Sequence, residues 1–172
     1  CPHCGWTMIP GKYGYSCHST HCTDTIPELT DEMKLDTSSN NLYRLKKGIM
    51  RYFASPGKLE LEIAAFCERK KIRWVLWPQM DRYDVEIQFS DGEIWEIDAK
   101  AYRNPIALRT KIQNDNGFPD GEYARGYFVI PSEYTVNQQN YTAIVNQKNV
   151  KCVTLQSLKA EITRKEDSCC EG

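Results

Sequence analysis

The stretch from Tyr83 to Lys100 constrains this chain more than any other part of it. Tyr83-Asp84-Val85-Glu86-Ile87-Gln88-Phe89 alternates apolar and polar residues, and so does Glu93-Ile94-Trp95-Glu96-Ile97-Asp98-Ala99-Lys100. Alternation at period two marks a strand with one face in a core. Asp91-Gly92 between them is a two-residue turn signal, so the two segments are expected to form a hairpin. Asp98 and Lys100 are two apart and point to one face of their strand. The hairpin sets Asp84 beside them.

Two carboxylates and an ammonium at one spot suit metal-assisted cleavage of a phosphodiester. Asp84 and Asp98 can hold Mg²⁺ or Mn²⁺, hard cations that take carboxylate oxygens and keep several waters. The backbone carbonyl of Ala99 can add a ligand. A water on the ion loses a proton more easily. Lys100 can neutralise charge in the transition state or orient that water. The plain alternative is a surface Asp–Lys pair worth well under about 1 kcal/mol. Ile94, Trp95 and Ile97 argue against it, because they make the second strand read as a central one, where charge needs a reason. A helix expected over Lys58 to Lys70 carries Glu60 and Glu62 in its first turns. Either can complete the metal site, or both can serve the positive helix N-terminus.

The amino-terminal end carries a second chemistry. Cys1-Pro2-His3-Cys4 and Cys17-His18-Ser19-Thr20-His21-Cys22 form two short-spaced cysteine pairs. Such pairs offer four thiolates to one tetrahedral Zn²⁺. Cys1, Cys4, Cys17 and Cys22 are the expected ligands, with His21 as an alternative to Cys22. Four thiolates leave no open coordination position, so the zinc is expected to be a folding staple for a segment too short to build a core.

Of eight cysteines, four lie in this cluster. Cys67 and Cys152 fall on apolar stretches as small hydrophobes, and Cys169 and Cys170 in a polar tail. That distribution points to the reducing cytoplasm rather than a disulfide scaffold. No apolar run approaches the roughly 20 residues of a membrane span, and no secretory segment is present. The net charge is −1, so positive charge for a polyanion must be local. Lys46, Lys47 and Arg51 are one such group, and Arg103, Arg109 and Lys111 another. The chain opens on Cys1 without an initiator Met, as a fragment or a processed protein would.

The expected organisation is a zinc ribbon over 1–27, a polar linker over 28–41, an α/β domain over 42–166 and a disordered tail over 167–172. A first helix is expected from Asn40 to Ala54, stopped by Ser55-Pro56-Gly57. Strands follow at Arg73–Pro78 and in the hairpin, then a helix from Ile106 to Asn114. A buried strand at Tyr127–Ile130, a helix from Tyr134 to Asn146, a strand at Val150–Leu155 and a helix from Gln156 to Lys165 complete the series. A hairpin followed by β-α-β-α predicts a mixed sheet flanked by helices.

An acid-bearing helix, then Asp84, then Asp98-Ala99-Lys100, resembles the PD-(D/E)XK superfamily with its restriction-endonuclease-like fold. The likeness spans about Asn40 to Lys165. It implies that Asp84 and Asp98 bind Mg²⁺, that Lys100 assists catalysis, and that Glu60 or Glu62 is the helix acid. Tyr83 stands where the superfamily's name has Pro. More narrowly, Pro56-Gly57-Lys58-Leu59-Glu60-Leu61, Leu76-Trp77-Pro78 and Trp95-Glu96-Ile97-Asp98-Ala99-Lys100-Ala101-Tyr102, behind a zinc ribbon, resemble the endonucleases that accompany Piwi-type proteins in bacterial defence islands. This implies an endonuclease acting on double-stranded DNA, with a Piwi-type or helicase partner and a possible homodimer. Tyr102, Arg103 and Arg109 are candidate substrate contacts. The alternative is a silent or partner-activated nucleic-acid-binding module on the same fold.

Overall fold

The computed structural model describes residues 1, 6–17, 25–31, 34, 38, 43, 45–49, 54–118, 121–136, 138–147 and 150–170. The chain divides into two compact units, Cys1–Ala54 and Ser55–Gly172.

In the first unit β1 (Met8–Gly11), β2 (Gly14–Cys17) and β3 (Thr25–Ile26) form an antiparallel sheet in that order. Gly14 has φ +118, and a Cβ there would stand 2.2 Å from the Ile26 carbonyl oxygen, so glycine is required where β3 crosses β2. Trp6 is buried. Of the helix expected over Asn40 to Ala54, the described residues contain α1 (Lys47–Ile49), a single turn. Leu45 and Ile49 are exposed.

The second unit is a helix–sheet–helix sandwich. Its elements are α2 (Ser55–Lys70), β4 (Arg73–Leu76), α3 (Pro78–Asp81), β5 (Val85–Gln88), β6 (Ile94–Ala99), α4 (Pro105–Asn114), β7 (Arg125–Ile130), α5 (Tyr141–Val145), β8 (Cys152–Thr154) and α6 (Leu155–Cys170). The sheet order is β4-β5-β6-β7-β8. β4, β5 and β6 are antiparallel neighbours, while β6, β7 and β8 run parallel. The mixed sheet and its central β6 follow the sequence pattern. α2 and α6 cover one face through Leu59, Ile63, Cys67, Leu158 and Ile162, which meet Val85, Ile87, Trp95, Ile97, Tyr127 and Val129. α4 and α5 cover the other through Leu108, Ile112, Tyr141 and Val145, against Phe128, Ile130 and Cys152.

Several expected boundaries move. Ser55-Pro56-Gly57 forms the first turn of α2, where proline is tolerated because the N–H groups of that turn have no helical partner; residues 50–53, before the end expected for the preceding helix, lie outside the described residues. The hairpin turn is wider than two residues: Phe89 N–H bonds the Glu93 carbonyl and Gly92 N–H the Phe89 carbonyl. Gly92 takes φ +87, the glycine position of a three-residue loop. The helix expected over Tyr134 to Asn146 is broken into a 3₁₀ turn (Ser132–Thr135) and α5. The tail expected from 167 is helical as far as Cys170. No glycine or proline interrupts Leu155–Cys170, and Lys165 is tied to Asp91 and Glu93.

Candidate active site

β5 and β6 alternate, so the set that faces α2 and α6 leaves Glu86, Glu96 and Asp98 on the opposite face. Asp84 enters just before β5. Its N–H bonds the Ile97 carbonyl at 3.0 Å, which places its side chain at the carboxyl end of β6. There Asp84 Oδ2 accepts the Ala99 N–H at 2.6 Å. Lys100 Nζ lies 2.6 Å from Asp98 Oδ1, both side chains being largely buried. Burial, the Asp98 charge and a hydrogen bond with Asp98 push the Asp84 carboxyl up to about 8; Glu60 adds to the rise and the Ala99 N–H opposes it. The three hairpin residues therefore meet, at the strand where antiparallel pairing gives way to parallel. Sites in open α/β sheets gather at such carboxyl ends.

Glu60 and Glu62 part company. Glu60 is 8 % exposed, is felt by Asp84, and accepts the Trp77 indole N–H at 2.7 Å. Glu62 turns to an ion pair with Lys159 at 2.7 Å. Of the substrate-contact candidates, Tyr102 is partly exposed and its carbonyl accepts the Tyr141 hydroxyl. Arg103 stands over the Tyr134 ring, 5.8 Å from its centre. Arg109 is exposed on α4. Lys111 pairs with Asp115 at 2.8 Å, the ordinary role of an exposed helix lysine.

Sequence reasoning passed over two features here. Glu86 and Glu96 face each other directly across β5 and β6. Tyr83 donates to Glu86 at 2.7 Å. Glu96 is 1 % exposed, and its Oε2 has no hydrogen-bond partner among the described residues. Burial raises the Glu96 pKa, with the Tyr83 hydrogen bond and Arg82 opposing and Glu86 adding. The alternation that singles out Asp84 and Asp98 also marks these two. The second feature is Trp77, whose bond to Glu60 depends on a backbone conformation that no periodicity reveals.

A divalent cation fits the donor set. Asp84 carries its high pKa first because it is buried and then because Asp98 lies beside it, and a bound cation would offset that repulsion. Among the described residues no three His, Cys, Asp or Glu side chains cluster as an ion cage. Two carboxylates and a carbonyl, completed by water and substrate oxygens, is instead the sparse set Mg²⁺ accepts. For zinc, Cys1 and Cys17 are half-buried, while Cys4, Cys22 and the alternative His21 lie outside the described residues. Among the described residues no helix is long and apolar enough to cross a membrane.

A five-stranded mixed sheet between helix layers, with acids at the carboxyl end of its central strand, is consistent with a restriction-endonuclease-like domain. Residues 57–168 match the family model described as "REase associating with pPIWI_RE". That is roughly two thirds of the chain, and the chain belongs to this family. No curated protein and no solved structure matches it.

Proposed function

We propose that the chain is a PD-(D/E)XK endonuclease that hydrolyses phosphodiester bonds of double-stranded DNA with Mg²⁺ or Mn²⁺. The observation that carries this reading is the meeting of Asp84, Asp98 and Lys100 at the end of β6. Asp84, Asp98 and the Ala99 carbonyl would hold the ion. When bound, it supplies charge neutralisation for the phosphoryl group and eases deprotonation of water. The residues do the rest. The Ala99 N–H fixes the Asp84 carboxylate. Lys100 sets a positive charge beside Asp98, where a phosphate oxygen gains negative charge as the water oxygen bonds to phosphorus and the ester oxygen leaves. Glu60 offers a third acid from α2. Arg103 and Arg109 suit backbone phosphates, contacts that position a duplex without reading its sequence.

The family's description supports a pPIWI_RE protein as partner; a role in prokaryotic defence, in the cytoplasm, is part of the proposal. The cysteine spacing supports a structural zinc in the first unit.

The test is cleavage of plasmid DNA with Mg²⁺ or Mn²⁺, by the chain alone and with its partner. Asp98→Ala and Lys100→Ala are expected to lower the rate at least about 100-fold. Equal cutting by these variants would dismiss the site. Cutting only in the partner's presence would establish activation.

A further inference from the structure

Trp77 joins two acids that arrive on different elements. Its backbone N–H donates to the Asp84 carbonyl at 2.9 Å. Its indole N–H donates to Glu60 Oε2 at 2.7 Å. One residue thus holds the entry of β5 and the carboxylate of α2 together. The backbone is strained to allow this. Trp77 has φ 50 and ψ 50, and Gln79 and Met80 also take positive φ, at 52 and 60. Residues with side chains visit this region at a cost, and a residue before proline is pushed toward extended backbone. Strain of this kind persists where the surroundings over-determine it, most often at functional sites. Burial does not account for it, since Trp77 is 52 % exposed and Met80 entirely so.

We infer that Trp77 is a positioning residue: its indole N–H fixes the Glu60 carboxylate while its backbone N–H fixes the Asp84 carbonyl, coupling the α2 acid to the entry of β5. The inference rests on the nuclease reading for its consequence in catalysis, but the arrangement itself exists without a cation. Glu60 is buried, and a buried carboxylate without a donor swings away or takes a proton. Removing the donor leaves Asp84 and Asp98 in place and misdirects Glu60.

The test has two readouts. In the metal-free chain labelled at its four tryptophans, one indole N–H resonance is expected to move in Glu60→Ala, and that one is missing in Trp77→Phe. With DNA, Trp77→Phe keeps the ring and loses the donor. It is expected to lower kcat about 10–100-fold and to raise the half-saturating Mn²⁺ concentration, as loss of an outer partner does. KM for DNA is expected to hold, and Trp77→His, which retains a ring N–H, to recover part of the loss. Four resonances indifferent to Glu60→Ala overturn the inference, as does a Trp77→Phe variant with wild-type kcat and Mn²⁺ midpoint. If the wild type leaves DNA intact both alone and with its partner, the nuclease reading falls, and the resonances and a direct Mn²⁺ titration still decide the role of Trp77. If Trp77→Phe does not fold, the Glu60→Ala spectrum decides it.

Discussion

Asp84 makes the metal-free site costly at neutral pH. Burial and Asp98 raise its carboxyl from 3.8 to about 8, so between these values the folded state keeps a proton that the unfolded chain releases. Its contribution to stability is therefore full below about pH 3.8 and lost as pH rises through 8. Without metal the melting temperature is expected to fall from pH 5 to pH 8. Asp84→Asn retains an oxygen for the Ala99 N–H and removes the charge, so its profile should be flatter and its metal-free stability at pH 8 higher. Each 1 kcal/mol recovered is worth about 2–4 °C. Thermal melts across this range check it, and a wild-type profile as flat as the variant's would count against the pairing. The same residues show what sequence could give. Spacing of two on a strand sufficed for Asp98 and Lys100, and a hairpin for Asp84. It did not separate Glu60 from Glu62, because both occupy the first turns of α2, and the choice came from Lys159 on a helix 97 residues away. Glu60→Ala is expected to cut activity about 10–100-fold and Glu62→Ala to leave it unchanged. Comparing the two in the plasmid assay separates a site acid from a surface one.

At the scale of elements, α6 is fastened to the hairpin turn. Lys165 pairs with Asp91 and lies 2.7 Å from Glu93. The Lys165 partner, with the Glu93 N–H, holds the Asp91 carboxyl down at about 2. The sign is opposite to that of Asp84: this contribution is present above the ordinary value of 3.8 and lost as pH falls toward 2. Lys165→Met is expected to raise amide hydrogen exchange in the last turns of α6 at neutral pH, with little change in β6 or β7, and lowering the pH of the wild type to about 2 should loosen the same turns. Exchange unchanged in α6 would show that this tie does not hold the helix. This long-range partner is also why the last turns of α6 carry no local signal of their order. A polar composition predicts a tail when nothing nearby is seen to hold it, and the turn that holds Lys165 is 74 residues earlier. The sheet was legible because each strand carries its own alternation or apolar run. Helix boundaries were less so, since Ser-Pro-Gly reads equally well as a stop or a start.

For the whole molecule, the cysteines divide by unit, and their chemistry tests the organisation. Cys67 and Cys152 lie in the core of the second unit, where burial pushes both thiols up to about 12. A thiolate is the reactive species, so neither should alkylate while that unit is folded. Cys1 and Cys17 are half-buried, and zinc is proposed to hold them together with Cys4 and Cys22. Chelation should therefore expose Cys1, Cys4, Cys17 and Cys22 to iodoacetamide and abolish the first unit's structure, since such short modules fold with their metal. Cys67 and Cys152 should stay unmodified, and the melting transition of Ser55–Gly172 should survive. Alkylation mapped by mass spectrometry before and after chelation reads each site separately. Protection of all four amino-terminal cysteines after chelation would remove the zinc proposal. Exposure of Cys67 or Cys152 at the same time would mean that the two units fold as one, with the second unit depending on a metal bound outside it.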